Sequence, residues 1–165
     1  MSLFRPKEIL KIFTDLDIPR YREQGFEMVL LDVDNTIAVP NTGSCDERAR
    51  KFILDLQKAG FKVVIFSNNN EKRVKMFLGD LKADYWYLAM KPLPCSYLAV
   101  CKKMHVKPSK TIVMGDQLMT DILGANLSGC YGIYCKQLQE KDSKMTAFNR
   151  RIEKFIWRNV LHEEV

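Results

Sequence analysis

The chain alternates short continuous apolar runs with longer segments whose apolar positions recur every three or four residues. Met28–Val33 (MVLLDV), Lys62–Phe66 (KVVIF), Tyr85–Leu88, Thr111–Met114 (TIVM) and Tyr131–Tyr134 are of the first kind. Runs of this length, rich in branched and aromatic side chains, predict strands buried on both faces. Cys45–Ala59 is of the second kind: it sets Ala49, Phe52, Ile53 and Leu56 on one helical face, and Gly60 follows as a stop signal. Glu71–Leu81 repeats the pattern with Val74, Phe77, Leu78 and Leu81. Cys95–Met104, with Pro108 just beyond it, and Asp121–Ser128 also read as helices.

Strands separated by helices of this length imply βαβ units and a parallel sheet. Right-handed crossovers then give an α/β, doubly wound, Rossmann-like fold with helices on both faces. The flanks differ from this core. Residues 4–16 carry Phe4, Ile9, Ile12, Phe13 and Leu16; residues 145–161 carry Met145, Phe148, Ile152, Phe155, Ile156 and Leu161. Both patterns predict amphipathic helices. A single domain is expected over 1–165, with its core near 26–135.

Composition narrows the setting. Of 165 residues, 47% are apolar and 28% charged, which is ordinary for a globular domain. No apolar run nears the roughly 20 residues of a membrane span. Arg5, Lys7, Glu8 and Lys11 interrupt the N-terminal segment, so it lacks the apolar core of a signal peptide. The cytoplasm is the expected compartment, with peripheral membrane contact as the alternative. The cysteines at 45, 95, 101, 130 and 135 form no C-x-x-C pair, which predicts reduced thiols rather than a zinc site or disulfide framework. The net charge of +6 suits an anionic partner, such as a phosphorylated substrate or an anionic lipid surface. No motif supports nucleic-acid binding, and no Walker loop or G-x-G-x-x-G fingerprint occurs.

In doubly wound sheets ligands collect at the carboxyl ends of the strands. The first predicted strand ends in Asp32-Val33-Asp34-Asn35-Thr36 and the second in Ser67-Asn68-Asn69-Asn70. Lys91-Pro92 follows the third, and Gly115-Asp116 the fourth, with Asp121 five residues on. The central strands thus deliver polar or ionised groups to one edge. Such a set can hydrolyse a phosphate ester, which needs a nucleophile, an acid for the leaving oxygen and positive charge around the phosphoryl oxygens. Asp32 fits the nucleophile and Asp34 the general acid and base. Ser67, Lys91 and the backbone N–H of Asn68 are candidates for holding the phosphoryl group. Asp116, Asp32 and the backbone carbonyl of Asp34 are the candidate Mg²⁺ ligands, with Asp121 as a secondary candidate. Thr36 is read as a structural hydrogen-bonder.

The four clusters resemble the four motifs of the haloacid dehalogenase-like (HAD) superfamily, in order: D-x-D-x-T at Asp32–Thr36, Ser67, Lys91, and G-D-x-x-x-x-D at Gly115–Asp121. The wording LDVDNT, FSNN, MKP and MGDQLMTDI is similar to the YqeG-type branch of subfamily IIIA. The resemblance covers residues 26–135 and more loosely the whole chain. It implies a Mg²⁺-dependent phosphatase working through an aspartyl phosphate. Asp34 stands where the ATPases of the superfamily carry Thr, which implies hydrolysis rather than preservation of the phosphoenzyme. The gaps between Asp34 and Ser67, and between Ser67 and Lys91, leave no room for an inserted cap. A capless, open site suits a large substrate whose phosphate projects.

The resemblance makes a lipid phosphate such as phosphatidylglycerophosphate one candidate substrate. A sugar phosphate, a nucleotide or a phosphoprotein fits the same residues. So does a binding or scaffold protein that keeps the fold with little turnover. Arg151, Lys154 and Arg158 lie at helical spacing beside the C-terminal apolar stripe, a pattern that membrane-surface helices share with helices packed on a domain.

Overall fold

A strand inside a parallel sheet is covered by helices on both faces and can be apolar at every position. β2 (Met28–Leu31), the sequence MVLL, is buried at all four positions and lies at the sheet centre. The computed structural model describes residues 2–40, 43–138 and 152–161. Around β2 stand β1 (Glu8–Leu10), β3 (Lys62–Phe66), β4 (Asp84–Trp86), β5 (Thr111–Gly115) and β6 (Tyr131–Cys135). The six form one sheet in the order β1-β6-β5-β2-β3-β4, and every pairing is parallel. The α/β sandwich expected from the sequence is what the chain adopts.

Alternation along the strands builds two cores. Val29, Leu31, Val63, Ile65, Ile112 and Met114 face one side. There they meet α1 (Ile18–Glu23) through Tyr21, α2 (Glu47–Lys58) through Phe52, Ile53 and Leu56, and α3 (Glu71–Leu78) through Val74 and Phe77. Met28, Leu30, Val64, Phe66 and Val113 face the other side. There they meet Tyr97, Val100 and Cys101 of α4 (Pro94–Lys103) and Ala125 of α5 (Leu123–Ser128). Helix starts are set by capping side chains: Asp46 accepts from Ala49 N at 2.8 Å, and Asn70 from Arg73 N at 2.9 Å. Cys101, Cys130 and Cys135 are buried, Cys95 is exposed, and all five cysteines are free thiols.

Register fixes the functional edge. Leu31 pairs with Ile65 on one side and with Met114 on the other. The residues after these three positions therefore emerge side by side: Asp32, Phe66-Ser67 and Gly115-Asp116. The strand order also turns back at β2, whose neighbours are β3 and β5, so this edge is the switch point where such sheets bind ligands.

The N-terminal flank departs from the expected amphipathic helix. Residues 8–10 form the edge strand β1, and Phe13–Asp15 form a 3₁₀ turn. The physical reason is tertiary. The open edge of β6 offers backbone partners, and Lys7 N donates to Gly132 O at 2.8 Å while Lys136 N donates to Leu10 O at 2.9 Å. Helical spacing of Ile9, Phe13 and Leu16 could not outweigh that pairing, and Pro6 brings no N–H to a helix. The helix expected over Asp121–Ser128 is preceded by a π turn, Leu118–Ile122, which carries Asp121.

At the other end, residues 152–156 are helical and Trp157–Leu161 make a π turn. Ile156, Trp157 and Leu161 are buried against Leu118, Ile122 and Tyr134, with Trp157 edge-on to Tyr134 at 5.4 Å. Ile156, Trp157 and Leu161 of this segment are thus spent on the domain itself, while Phe155 is 63% exposed. Met145, Phe148 and Arg151 lie outside the described residues.

Candidate active site

Three carboxylates converge at the switch point. Asp32 leaves the end of β2, Asp116 follows β5, and Asp121 comes back from the π turn; one oxygen of each lies within 4.8 Å of the others. The approach of Asp121 depends on Gly115. A Cβ there would sit 2.1 Å from the Asp121 Cγ, so only glycine lets the carboxylate reach the strand end. Gln117 N and Thr120 Oγ1 donate to Asp121 Oδ2, at 3.2 and 3.3 Å.

Lys91 enters from the segment after β4. Its Nζ lies 2.6 Å from Asp32 Oδ1 and 2.6 Å from Asp121 Oδ1, in a buried position. Burial alone would depress its pKa, but the carboxylates of Asp121 and Asp32 outweigh it and hold the ammonium above the usual lysine range. Lys91 is therefore charged throughout the neutral range. Asn68 grips its backbone from both sides: Lys91 N donates to Asn68 Oδ1 at 2.7 Å, and Asn68 Nδ2 donates to Lys91 O at 3.2 Å. Thr36 Oγ1 lies 3.1 Å from Asp32 Oδ2 and 3.3 Å from Asp116 Oδ1, so one hydroxyl links two of the acids. Gln137 Nε2 donates to Asp116 Oδ2 at 3.2 Å.

Asp34 stands apart from this cluster. Its Oδ2 accepts from Asn69 Nδ2 at 2.7 Å and its Oδ1 is 2.5 Å from Arg73 Nη2 of α3. Burial pushes its carboxyl above the ordinary range, with the Arg73 guanidinium pulling the other way. Ser67 is buried at the end of β3, where its Oγ accepts from Asn69 N at 3.1 Å. That contact uses a lone pair and leaves the hydroxyl hydrogen to donate.

Asp32, Lys91, Asp116 and Asp121 thus meet in one cluster, flanked by Asp34 and by Ser67 and Asn68. The Asp34 side chain, facing Asn69 and Arg73, is not part of the acidic group. Arg73, Gln137 and the side chain of Asn69 had no motif to mark them. Their signal is spatial: Arg73 and Asp34 are 39 residues apart.

A divalent cation fits this donor set. One oxygen from each of Asp32, Asp116 and Asp121 converges on the same place, and carboxylate oxygens are hard ligands of the kind Mg²⁺ prefers. Between Asp34 and Ser67 the described residues hold α2 and β3, and between Ser67 and Lys91 they hold α3 and β4; neither stretch contains an inserted domain among the described residues.

The sequence model of the haloacid dehalogenase-like hydrolases matches residues 5–129. A relative from Bacillus subtilis (strain 168), "Probable phosphatase YqeG", is 32% identical over 155 residues, covering 94% of this chain and 90% of its own. The "Phosphatidylglycerophosphatase GEP4, mitochondrial" of Saccharomyces cerevisiae is 26% identical over 169 residues, again 94% and 90% of the two chains. Among solved structures, the cobalt-bound deoxy-D-mannose-octulosonate 8-phosphate phosphatase of Haemophilus influenzae superposes with a TM-score of 0.56. It is 16% identical and covers 68% of this chain and 69% of its own, so it speaks for the fold alone.

Proposed function

The chain belongs to the haloacid dehalogenase-like hydrolase family and is a phosphatase; from there we propose that it hydrolyses a phosphomonoester through an aspartyl phosphate on Asp32, with a lipid phosphate as substrate. The observation that carries the mechanism is the contrast between two neighbouring carboxylates. Asp32 faces Lys91 and the acidic cluster, as a nucleophile should. Asp34 is turned aside into partial burial, which raises its carboxyl above the ordinary range against the pull of Arg73, the direction a general acid needs.

In the first step a carboxylate oxygen of Asp32 attacks phosphorus. The bond to the leaving oxygen breaks as Asp34 gives that oxygen its proton. In the second step Asp34 takes a proton from water, the water oxygen attacks phosphorus, and the acyl–phosphate bond breaks to return Asp32 and phosphate. Lys91 keeps positive charge beside the nucleophile, and Ser67 with the backbone N–H of Asn68 holds phosphoryl oxygens. Asp32, Asp116 and the backbone carbonyl of Asp34 would hold Mg²⁺, with Asp121 anchoring Lys91 and closing the cluster. The ion would supply charge stabilisation for the transferring phosphoryl group.

The lipid part of the proposal draws on the relative named as a phosphatidylglycerophosphatase. A capless site agrees with it, since a phosphate at a bilayer surface needs an unroofed edge to reach. The test is hydrolysis of an aryl phosphate with Mg²⁺, with EDTA and with the Asp32→Asn variant, followed by phosphatidylglycerophosphate in vesicles against a panel of sugar phosphates and nucleotides. Turnover that needs both metal and Asp32, with preference for the lipid, is expected. Metal-dependent turnover that survives in Asp32→Asn would refute the nucleophile, and preference for a soluble phosphate would refute the lipid.

A further inference from the structure

The segment that delivers Lys91 has a second face. From Leu88 to Lys91 the side chains alternate: Ala89 and Lys91 are buried at 0% and 8% exposure, while Leu88 and Met90 are exposed at 56% and 58%. Leu93 adds a third aliphatic side chain at 52% and Tyr87 an aromatic one at 40%. Four large apolar groups within seven residues is a concentration that a soluble surface does not need. Leu88 and Met90 also take φ values of 46° and 51°, a left-handed backbone that bulky residues rarely adopt. Backbone held in that state against its preference is found where surrounding structure enforces it, commonly at functional sites.

The segment is fastened to the active-site edge. Leu88 N donates to Asn69 O at 2.9 Å and Ala89 N to Ser67 O at 3.0 Å. The apolar tip therefore stands at the rim of the pocket that would receive the phosphate. Next to it, along the open edge of β4, runs a cleft of about 580 Å³ whose lining includes Asp84, Trp86, Tyr87 and Lys103, with the Lys103 ammonium 5.7 Å from the centre of the Trp86 ring. An exposed aliphatic tip next to Tyr87 and Trp86 has the residue types of an interfacial docking element, and the chain's net charge of +6 favours an anionic surface.

We propose that residues 87–93 are a membrane-docking element that presents the active-site edge to an anionic lipid surface. The inference rests on the lipid-phosphate reading for its purpose, but its geometry stands separately. It places membrane contact at the rim of the site rather than on the C-terminal segment, whose Ile156, Trp157 and Leu161 are buried in the domain.

The test uses the whole chain and vesicles of phosphatidylcholine with phosphatidylglycerol. Wild type is compared with a Leu88→Gln/Met90→Gln/Leu93→Gln variant by co-sedimentation, and both are assayed on a soluble aryl phosphate. These side chains lie outside the catalytic cluster, so aryl phosphate turnover should be unchanged. Vesicle affinity should fall at least about tenfold, as loss of three inserted aliphatic groups requires. As a second readout, a Leu88→Trp variant should show a blue-shifted emission when vesicles are added. Wild type that ignores vesicles, a triple variant that binds like wild type, or an unshifted Leu88→Trp spectrum would each overturn the proposal. Loop-dependent binding without hydrolysis of a vesicle-borne lipid phosphate would uphold docking and sink the lipid substrate instead.

Discussion

Arg73 and Asp34 are joined across 39 residues of chain, with Nη2 2.5 Å from Oδ1 and the guanidinium side chain only 13% exposed. Asn69 holds the other oxygen of the same carboxylate. The proposed general acid is therefore set in one orientation from two sides. Arg73→Met should lower kcat on an aryl phosphate by about tenfold or more, the cost expected when a catalytic group loses its aim. The pH profile gives a sharper check. Burial raises the Asp34 pKa and Arg73 opposes the rise. Removing Arg73 lifts it further, so the alkaline limb of kcat/KM, where Asp34 loses its proton, should move to higher pH. A limb that stays put or moves down would contradict the assignment.

Lys91 is the counter-charge to two acids in a place with almost no solvent. Lys91→Met should abolish turnover and also destabilise the fold by about 3–5 kcal/mol, because it strands a buried carboxylate. The sign with pH follows from the raised pKa. The lysine's contribution is fully present below its unfolded-state pKa and is lost only as pH climbs through the higher folded value. Lys91 also holds down the burial-raised pKa of Asp121, so the gap between wild type and variant in urea melts should narrow as pH falls and the stranded Asp121 takes up a proton.

Gly115 leaves space that Asp121 fills. Gly115→Ala forces a Cβ into that carboxylate, and overpacking of this kind costs about 1–3 kcal/mol. Thermal melts should show the loss, and Mg²⁺-dependent turnover should fall more than stability does, since the displaced group belongs to the acidic cluster.

Mg²⁺ should raise the melting temperature, since a ligand at about one hundred times its Kd stabilises by roughly 2.7 kcal/mol. Asp116→Asn should blunt that rise. Asp34→Asn should keep it while losing turnover, because the Asp34 side chain faces Asn69 and Arg73 and only its backbone carbonyl is proposed as a ligand. Equal loss in both variants would place the Asp34 carboxylate on the metal.

Much of this protein is written locally. Continuous apolar runs this short, rich in branched residues, read as strands covered on both faces, and helical spacing of Phe52, Ile53 and Leu56 needs no tertiary information to read. Because side chains at strand ends open onto one edge of a parallel sheet, the meeting of Asp32, Asp116 and Lys91 followed from topology alone. Short gaps between the clusters likewise decided that no cap is inserted. Other features required the folded chain. Residues 8–10 pair as a strand because the β6 edge offers hydrogen bonds that an isolated N-terminal helix would forgo. Asp121 joins the acidic cluster because Gly115 admits it, and Thr36 links Asp32 to Asp116, which lies 80 residues beyond Thr36. Arg73 reaches Asp34 from α3 with no motif to mark it. Periodicity specifies which face of an element is buried, but the partner of a polar side chain depends on packing between distant segments, and only the tertiary structure decides that.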